Sequence, residues 1–402
     1  MNQRYHFLIG TVLMVTIVTV FTVFIAPVYN FGQVEVEEDN RIVIGERVKL
    51  QSKILREERT VLISRPANYN YSQSRYPVLY ILDGNFHFHH VTGIIQYLSQ
   101  QRLIPRIMVV AVPNTNRDRD LLPTNMPHIP ASGGGDNFLK FIETELIPFV
   151  DNNYRTHPYR ILVGHSFGGL FAVYTLLTKP ELFEAYIAIS PSLHWGDMLV
   201  LKKALALFKK KLSFKKFLYM TMGNETNDML VTIKNFCKIL KEKAPPDLKW
   251  HYTFMKNEDH GSTPHRSIYD GLEALYSGWR LPQKRFLAGL KSIGKHYKGL
   301  SKKYGYDISI PEYEVNRLGY TLLGQKQIEK ALDIFKRNVE LYPNSPNVYD
   351  SLGEAYEAAN QLEEAKKNYE LAFQKANEVA YPNSEPFKRH LLRVMKKMAS
   401  SK

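Results

Sequence analysis

The chain has 402 residues, 44% hydrophobic and 12% aromatic, which excludes a disordered polymer and allows one large domain with smaller pieces beside it. Its single cysteine, Cys237, excludes an internal disulfide and a thiolate metal site. The net charge of +14 is concentrated in residues 201–310, at Lys209–Lys211, Lys215–Lys216 and Lys284–Lys303, and no nucleic-acid-binding module accompanies it, so no nucleic acid is expected as partner. The plain reading of that charge is a solvated helical face, and the sharper ones are attraction to anionic headgroups or to an anionic substrate.

In chain order, Phe7–Val28 holds no charged residue and is long enough to cross a hydrocarbon core of ~30 Å. Arg4 precedes it and Glu35, Glu37, Glu38 and Asp39 follow, which predicts a cytoplasmic N-terminus and everything after residue 30 on the periplasmic or extracellular side. The best cleavage position, after Ala26, meets Pro27, so residues 1–32 read as an uncleaved signal anchor rather than a signal peptide whose loss would release the protein.

Residues 33–280 read as one α/β domain. Arg47–Leu55 and Thr60–Ser64 form strands joined by a charged turn at Arg56–Arg59. The short apolar runs Val78–Leu82, Ile107–Val112, Ile161–Val163, Tyr186–Ile189, Phe217–Met222 and Trp250–Met255 read as buried strands. Helices at His89–Gln101, Asn137–Asn153, Leu170–Leu177, Asp197–Phe208, Met229–Lys243 and His265–Trp279 separate them, which predicts a mostly parallel sheet covered on both faces. Residues 281–310 are a basic connector, helical at Arg285–Lys298. In 311–402, Tyr313–Gly319 is echoed by Asn347–Gly353, with Leu318/Leu352, Gly319/Gly353, Leu322/Tyr356, Ala331/Ala365 and Phe335/Tyr369 in step. This resembles two tetratricopeptide repeats at their ~34-residue period, a small all-α domain. Two repeats need support, from the connector helix, from Pro386–Met398 as a cap, or from the α/β domain.

The chemistry centres on Gly164-His-Ser-Phe-Gly168, a G-x-S-x-G turn between an apolar strand and an apolar helix. That context aims a serine hydroxyl, here Ser166, clear of the sheet at a helix N-terminus. A serine nucleophile needs a base, and His260 stands in the loop after the last strand, ahead of His265 as the alternative. An acid to hold the imidazole belongs between them in sequence. Glu225 and Asp228 both follow Phe217–Met222, with Glu225 preferred. Two backbone N–H groups for an oxyanion are expected from Phe167 and from Asn85 in the loop Asp83–Phe86. Arg117 and Arg119 read either as structural, pairing with Asp118 or Asp120, or as bordering the pocket together with a lid-like Leu121–Gly135, His194 and Trp195, where they would bind a carboxylate or catecholate.

Pro77–Gly84, Asn114–Leu121, Gly164–Gly169, Ser190–Trp195 and Glu258–Ser262 together resemble the esterase branch of the α/β-hydrolases, which takes in siderophore esterases, S-formylglutathione hydrolases and mycolyltransferases. The resemblance covers about residues 45–280. It implies Ser166 as nucleophile, His260 as base and the Asn85 and Phe167 amides as oxyanion hole, with a small-molecule ester as substrate, no cofactor and no metal. The leading expectation is a membrane-anchored serine esterase. An acyltransferase using the same residues, and a non-catalytic protein that binds a partner through its helical repeats, are the alternatives.

Overall fold

The computed structural model describes residues 42–210 and 213–400, and Val43–Lys402 form one compact unit. Phe7–Val28 lies outside the described residues, among which no helix is long and apolar enough to cross a membrane.

Eight strands make one sheet: β1 (Glu46–Ser52), β2 (Glu57–Ser64), β3 (Tyr76–Leu82), β4 (Met108–Val112), β5 (Thr156–His165), β6 (Ala185–Ile189), β7 (Phe217–Met222) and β8 (Lys249–Phe254). Their order is β1-β2-β4-β3-β5-β6-β7-β8, with β1–β2 and β2–β4 antiparallel and the rest parallel. Every residue of β3, β4 and β6 is buried, as continuous apolar runs in a two-sided sheet require. The chain leaves β3 for β4 on one side and returns to β5 on the other, so a crevice opens beyond the carboxyl ends of β3 and β5.

Between and after the strands lie α1 (Gly84–Gln100), α2 (Arg117–Leu121), α3 (Gly135–Phe141), α4 (Ile147–Asn153), α5 (Phe167–Thr178), α6 (Trp195–Phe208, left-handed at Gly196–Met198), α7 (Asn227–Lys243) and α8 (Thr263–Leu275). Residues of α3 to α7 pack on one face of the sheet against Tyr80, Leu82 and Leu162. Those of α1 and α8 pack on the other, against Ile81, Val163 and Ile187. A π-turn at Ile142–Leu146 joins α3 to α4, and its Glu145 accepts from the Lys53 and Ile54 amides at 2.9 and 3.1 Å.

Two expectations are corrected. The turn between β1 and β2 is at Lys53–Arg56, and Glu57–Arg59 belong to β2. Arg59 can enter the strand because Asp120 meets its guanidinium at 2.6 Å with both side chains at most 2% exposed. Each has a second partner, Asp120 in Arg119 at 2.7 Å and Arg59 in Glu57 at 2.9 Å, so the buried charges form a small network. β5 also begins earlier than its apolar stretch, at Thr156, where it pairs with Tyr76 across a register shift.

The basic connector is α9 (Gln283–Leu287) and α10 (Leu290–Tyr304). One face of it carries Phe286, Ile293, Tyr297 and Leu300 into the same core as α1 and α8, while its lysines stay outside. Then come α11 (Glu312–Gly324), α12 (Ile328–Leu341), α13 (Pro346–Ala358), α14 (Leu362–Glu378) and α15 (Glu385–Ser400). α11 and α12 pair as do α13 and α14, and the two pairs share one detail. A Cβ on Gly319 would lie 2.6 Å from the Phe335 ring, and one on Gly353 would lie 2.7 Å from the Tyr369 ring. All three expected supports are present. Leu318 joins the core of α10, His390 of α15 lies 2.8 Å from Asp350, and the Arg102 guanidinium beyond α1 sits 4.6 Å from the Tyr313 ring centre.

Candidate active site

Ser166 stands between β5 and α5 at φ 60°, ψ −116°, a conformation that costs on the order of 1–3 kcal/mol for a non-glycine residue. Its surroundings impose it. A Cβ on Gly164 would lie 2.1 Å from the Gly168 carbonyl oxygen, so only bare glycine backbone lets the strand and helix meet so closely. The Ser166 amide donates to the Ile189 carbonyl at 2.9 Å, and its own carbonyl accepts from Leu170 at 2.9 Å. The hydroxyl is left toward the cleft, 3.5 Å from Ser192 Oγ.

The loops after β7 and β8 are stitched together. The Asn224 amide donates to the Glu258 carbonyl at 2.7 Å and its side chain to the Lys256 carbonyl at 2.7 Å. This brings His260 Nδ1 to 2.8 Å from Glu225 Oε2. A carboxylate can only accept, so Nδ1 carries a proton, and in the neutral ring it is Nε2 that holds the lone pair. Glu225 is 3% exposed and His260 41%. Asp228, the alternative acid, stands instead in the first turn of α7, where a negative charge suits the helix dipole.

Ser166 and His260 line one cleft of about 720 Å³. Asn85 and Phe167 occupy the first turns of α1 and α5, and among the described residues neither amide meets a protein acceptor. The cleft wall holds four further histidines, His265, the alternative base, and His87, His90 and His165, which no sequence argument had singled out. Burial, then the neighbouring His260, pushes the His165 imidazole down to about 3. Burial, then His87 and His265, pushes that of His90 down to about 4. Both are therefore neutral near pH 7. The signal was the run His87-Phe-His-His90 directly after the Asp83 loop.

The other expected pocket residues fall elsewhere. Arg119 turns to Glu57 at 2.6 Å and to Asp120 at 2.7 Å, and Trp195 packs edge-on against Phe167 with ring centres 5.0 Å apart. Neither they nor His194 line the cleft. Leu121–Gly135 is no lid over it either. Leu121 and Leu122 are buried, and the Leu122 carbonyl accepts from the Gly133 and Gly135 amides, closing the loop on itself. Arg117 does line the cleft, but paired with Asp83, not with the neighbouring Asp118. Asp350, Glu354 and His390 bring possible metal-ligand atoms within 4.8 Å of one another on α13 and α15, where His390 and Asp350 already bond each other.

A mostly parallel eight-stranded sheet, a serine at the turn after β5, and an acid and a histidine after β7 and β8 define the α/β-hydrolase fold. Residues 52–230 match the family model described as "Putative esterase". The chain is 35% identical over 182 residues to the ferri-bacillibactin esterase BesA of Bacillus subtilis (strain 168), covering 40% of this chain and 62% of that protein. It is 32% identical over 147 residues to the siderophore triacetylfusarinine C esterase of Aspergillus fumigatus, covering 34% of this chain and 50% of that one. The chain thus spans between half and two thirds of the length of these two relatives. Among solved structures it resembles an IroE-like serine hydrolase from Shewanella oneidensis at 29% identity with a TM-score of 0.66, over 74% of this chain and 99% of the other.

Proposed function

We propose that this chain is a serine esterase in which Ser166 attacks a carboxylic ester, His260 is general base and then acid, and Glu225 holds the imidazole. The observation that carries the reading is the 2.8 Å contact of His260 with Glu225 in the cleft that exposes the Ser166 hydroxyl. A weak nucleophile becomes competent when a base held in the right tautomer can take its proton. The Ser166 hydroxyl lies 3.5 Å from Ser192 Oγ, and the proposal requires a χ1 rotation that brings it within hydrogen-bond reach of His260 Nε2 when substrate is bound. Attack gives a tetrahedral intermediate whose oxyanion faces the Asn85 and Phe167 amides. Its collapse expels the alcohol with the proton returned by His260 and leaves an acyl-enzyme, and water activated by His260 then releases the acid.

The names of the relatives make siderophore esters the substrate class to try first. A wide cleft walled by neutral imidazoles suits a hydroxyl- and carbonyl-rich ligand better than a purely aliphatic one. The test is turnover of p-nitrophenyl acetate and of ferric and iron-free siderophore lactones by the purified full chain. Ser166→Ala and His260→Ala are expected to lower kcat at least 10³-fold and Glu225→Gln about 10²- to 10⁴-fold, with Asp228→Asn near wild type. Unchanged turnover in Ser166→Ala would end the assignment. An Asp228→Asn loss larger than that of Glu225→Gln would move only the acid.

The same proposal places the protein in a membrane through Phe7–Val28, with the esterase domain outside the cytoplasm, on the strength of the uncharged span and its flanking charges. Carbonate washing of membranes is expected to leave the chain in the pellet, and external protease to digest the domain in spheroplasts. A soluble product beginning near Pro27 would show cleavage instead. The recurrence of the Gly319–Phe335 packing at Gly353–Tyr369 supports reading α11–α14 as two tetratricopeptide-type repeats.

A further inference from the structure

Arg117 lies where three parts of the cleft floor meet. Its Nε and Nη2 donate to the two carboxylate oxygens of Asp83 at 2.7 and 3.0 Å, a bidentate pair. Nη2 also donates to the carbonyl of His165, the residue before the nucleophile, at 3.2 Å. The guanidinium carbon sits 5.3 Å from the centre of the Phe167 ring. Asp83, 3% exposed, takes a further bond from Asn114 Nδ2 at 2.6 Å.

Asp83 is itself in an unusual state. It holds the left-handed conformation (φ 53°, ψ 42°) directly before α1, and its carbonyl receives the Phe86 and His87 amides at 2.9 and 3.2 Å. It therefore sets where the first turn of α1, and with it the Asn85 amide, begins. A non-glycine residue persists in this conformation when its surroundings over-determine it, and here Arg117 and Asn114, from the segment after β4, hold its carboxylate. The other amide, that of Phe167, follows the His165–Ser166 backbone that the same guanidinium holds.

We propose that Arg117, acting through Asp83, is a positioning residue that keeps the Asn85 and Phe167 amides at a common distance from the developing oxyanion. This rests on the reading of Ser166 as nucleophile. The two donors belong to different strand-to-helix turns, and this one side chain bridges both. The rival role, capture of an anionic substrate, is disfavoured because Asp83 already balances the cation and engages Nε and Nη2.

An oxyanion donor acts in the transition state, so its displacement lowers kcat more than it raises KM. With p-nitrophenyl acetate and the full chain, Arg117→Ala is expected to lower kcat about 10²-fold, on the scale of a lost oxyanion donor. KM should stay within about threefold and the pKa of the kcat/KM profile should not move. Arg117→Lys keeps the charge without the bidentate fork and is expected to lose about 10-fold, as is Asp83→Asn, which keeps the shape. Affinity for a phenylboronic acid, which forms a tetrahedral adduct with serine, should fall in step with kcat across the three variants. If Arg117→Ala fails to fold, Arg117→Lys and Asp83→Asn decide the question alone. Unchanged kcat in the folded variants, or a KM rise with kcat intact, overturns the proposal, the second outcome giving Arg117 a substrate-binding role. If Ser166→Ala is inactive while these variants are normal, only this proposal falls. If Ser166→Ala is active, the esterase reading falls first.

Discussion

The elbow at Ser166 and the helical hairpins at the C-terminal end both depend on glycine at a tight crossing, but what stands opposite differs. A Cβ on Gly164 would meet the backbone oxygen and carbon of Gly168 at 2.1 and 2.3 Å. Added Cβ atoms on Gly319 and Gly353 would meet the rims of Phe335 and Tyr369. Backbone locked between a strand and a helix cannot retreat, whereas a ring can turn or tilt at the expense of its packing. The first crossing is therefore a condition for the site to exist, and the second is an adjustable element of stability.

Two substitutions would break or sharpen that contrast. Gly164→Ala is expected to have the larger effect. The strain exceeds the ~1–3 kcal/mol usual for overpacking, so the protein should either fail to accumulate or show less than about 1% of wild-type turnover. Normal esterase activity in Gly164→Ala would mean that Ser166 does not work from this elbow. Gly353→Ala should cost about 1–3 kcal/mol, read as a lowered Tm, with kcat preserved. Tyr369 resists the move because it is fully buried and its hydroxyl donates to Glu357 at 3.0 Å. Loss of turnover in Gly353→Ala at a temperature where the protein is folded would show that the hairpins and the cleft are not separable.

The same contrast explains what could be read from the residues. The parallel strands were legible because runs such as Met108–Val112 are apolar without interruption, and the elbow because its glycines sit at fixed positions around Ser166. Since side chains for such sites gather at strand ends, His260 and Glu225 followed from their places after β8 and β7. The paired hairpins followed from matching residues at one offset.

Charged residues were the difficult class. Arg59 looked like part of a solvated turn and is buried, because its partner Asp120 is far away in sequence. Arg117-Asp-Arg-Asp120 suggested pairing among neighbours, which holds for Arg119 with Asp120, yet Arg117 reaches Asp83 and Arg119 also reaches Glu57. Sequence spacing gives no hint of an ion pair whose two halves arrive from elements far apart in the chain. The packing of the connector was not legible for a related reason. Its many lysines hide the narrow stripe of Phe286, Ile293, Tyr297 and Leu300 that makes α10 part of the core.

The anchoring of α2 also bears on how the molecule responds to ionic strength. Dissolved ions weaken attraction between charges that face water and do little to pairs shielded from it. The carboxylates through which this short helix is held, Asp83 receiving Arg117 and the helix's own Asp120 received by Arg59, are only 3% and 2% exposed. Arg59, which grips Asp120 from the sheet, is equally secluded, so dissolved ions have little access to that fastening, while on the other flank Arg117 is 29% exposed but its partner Asp83 is not. The surface lysines of residues 201–310 have no such shelter. A rise from dilute buffer to concentrated salt thus mutes the long-range positive field of the protein while leaving the floor of its cleft in place.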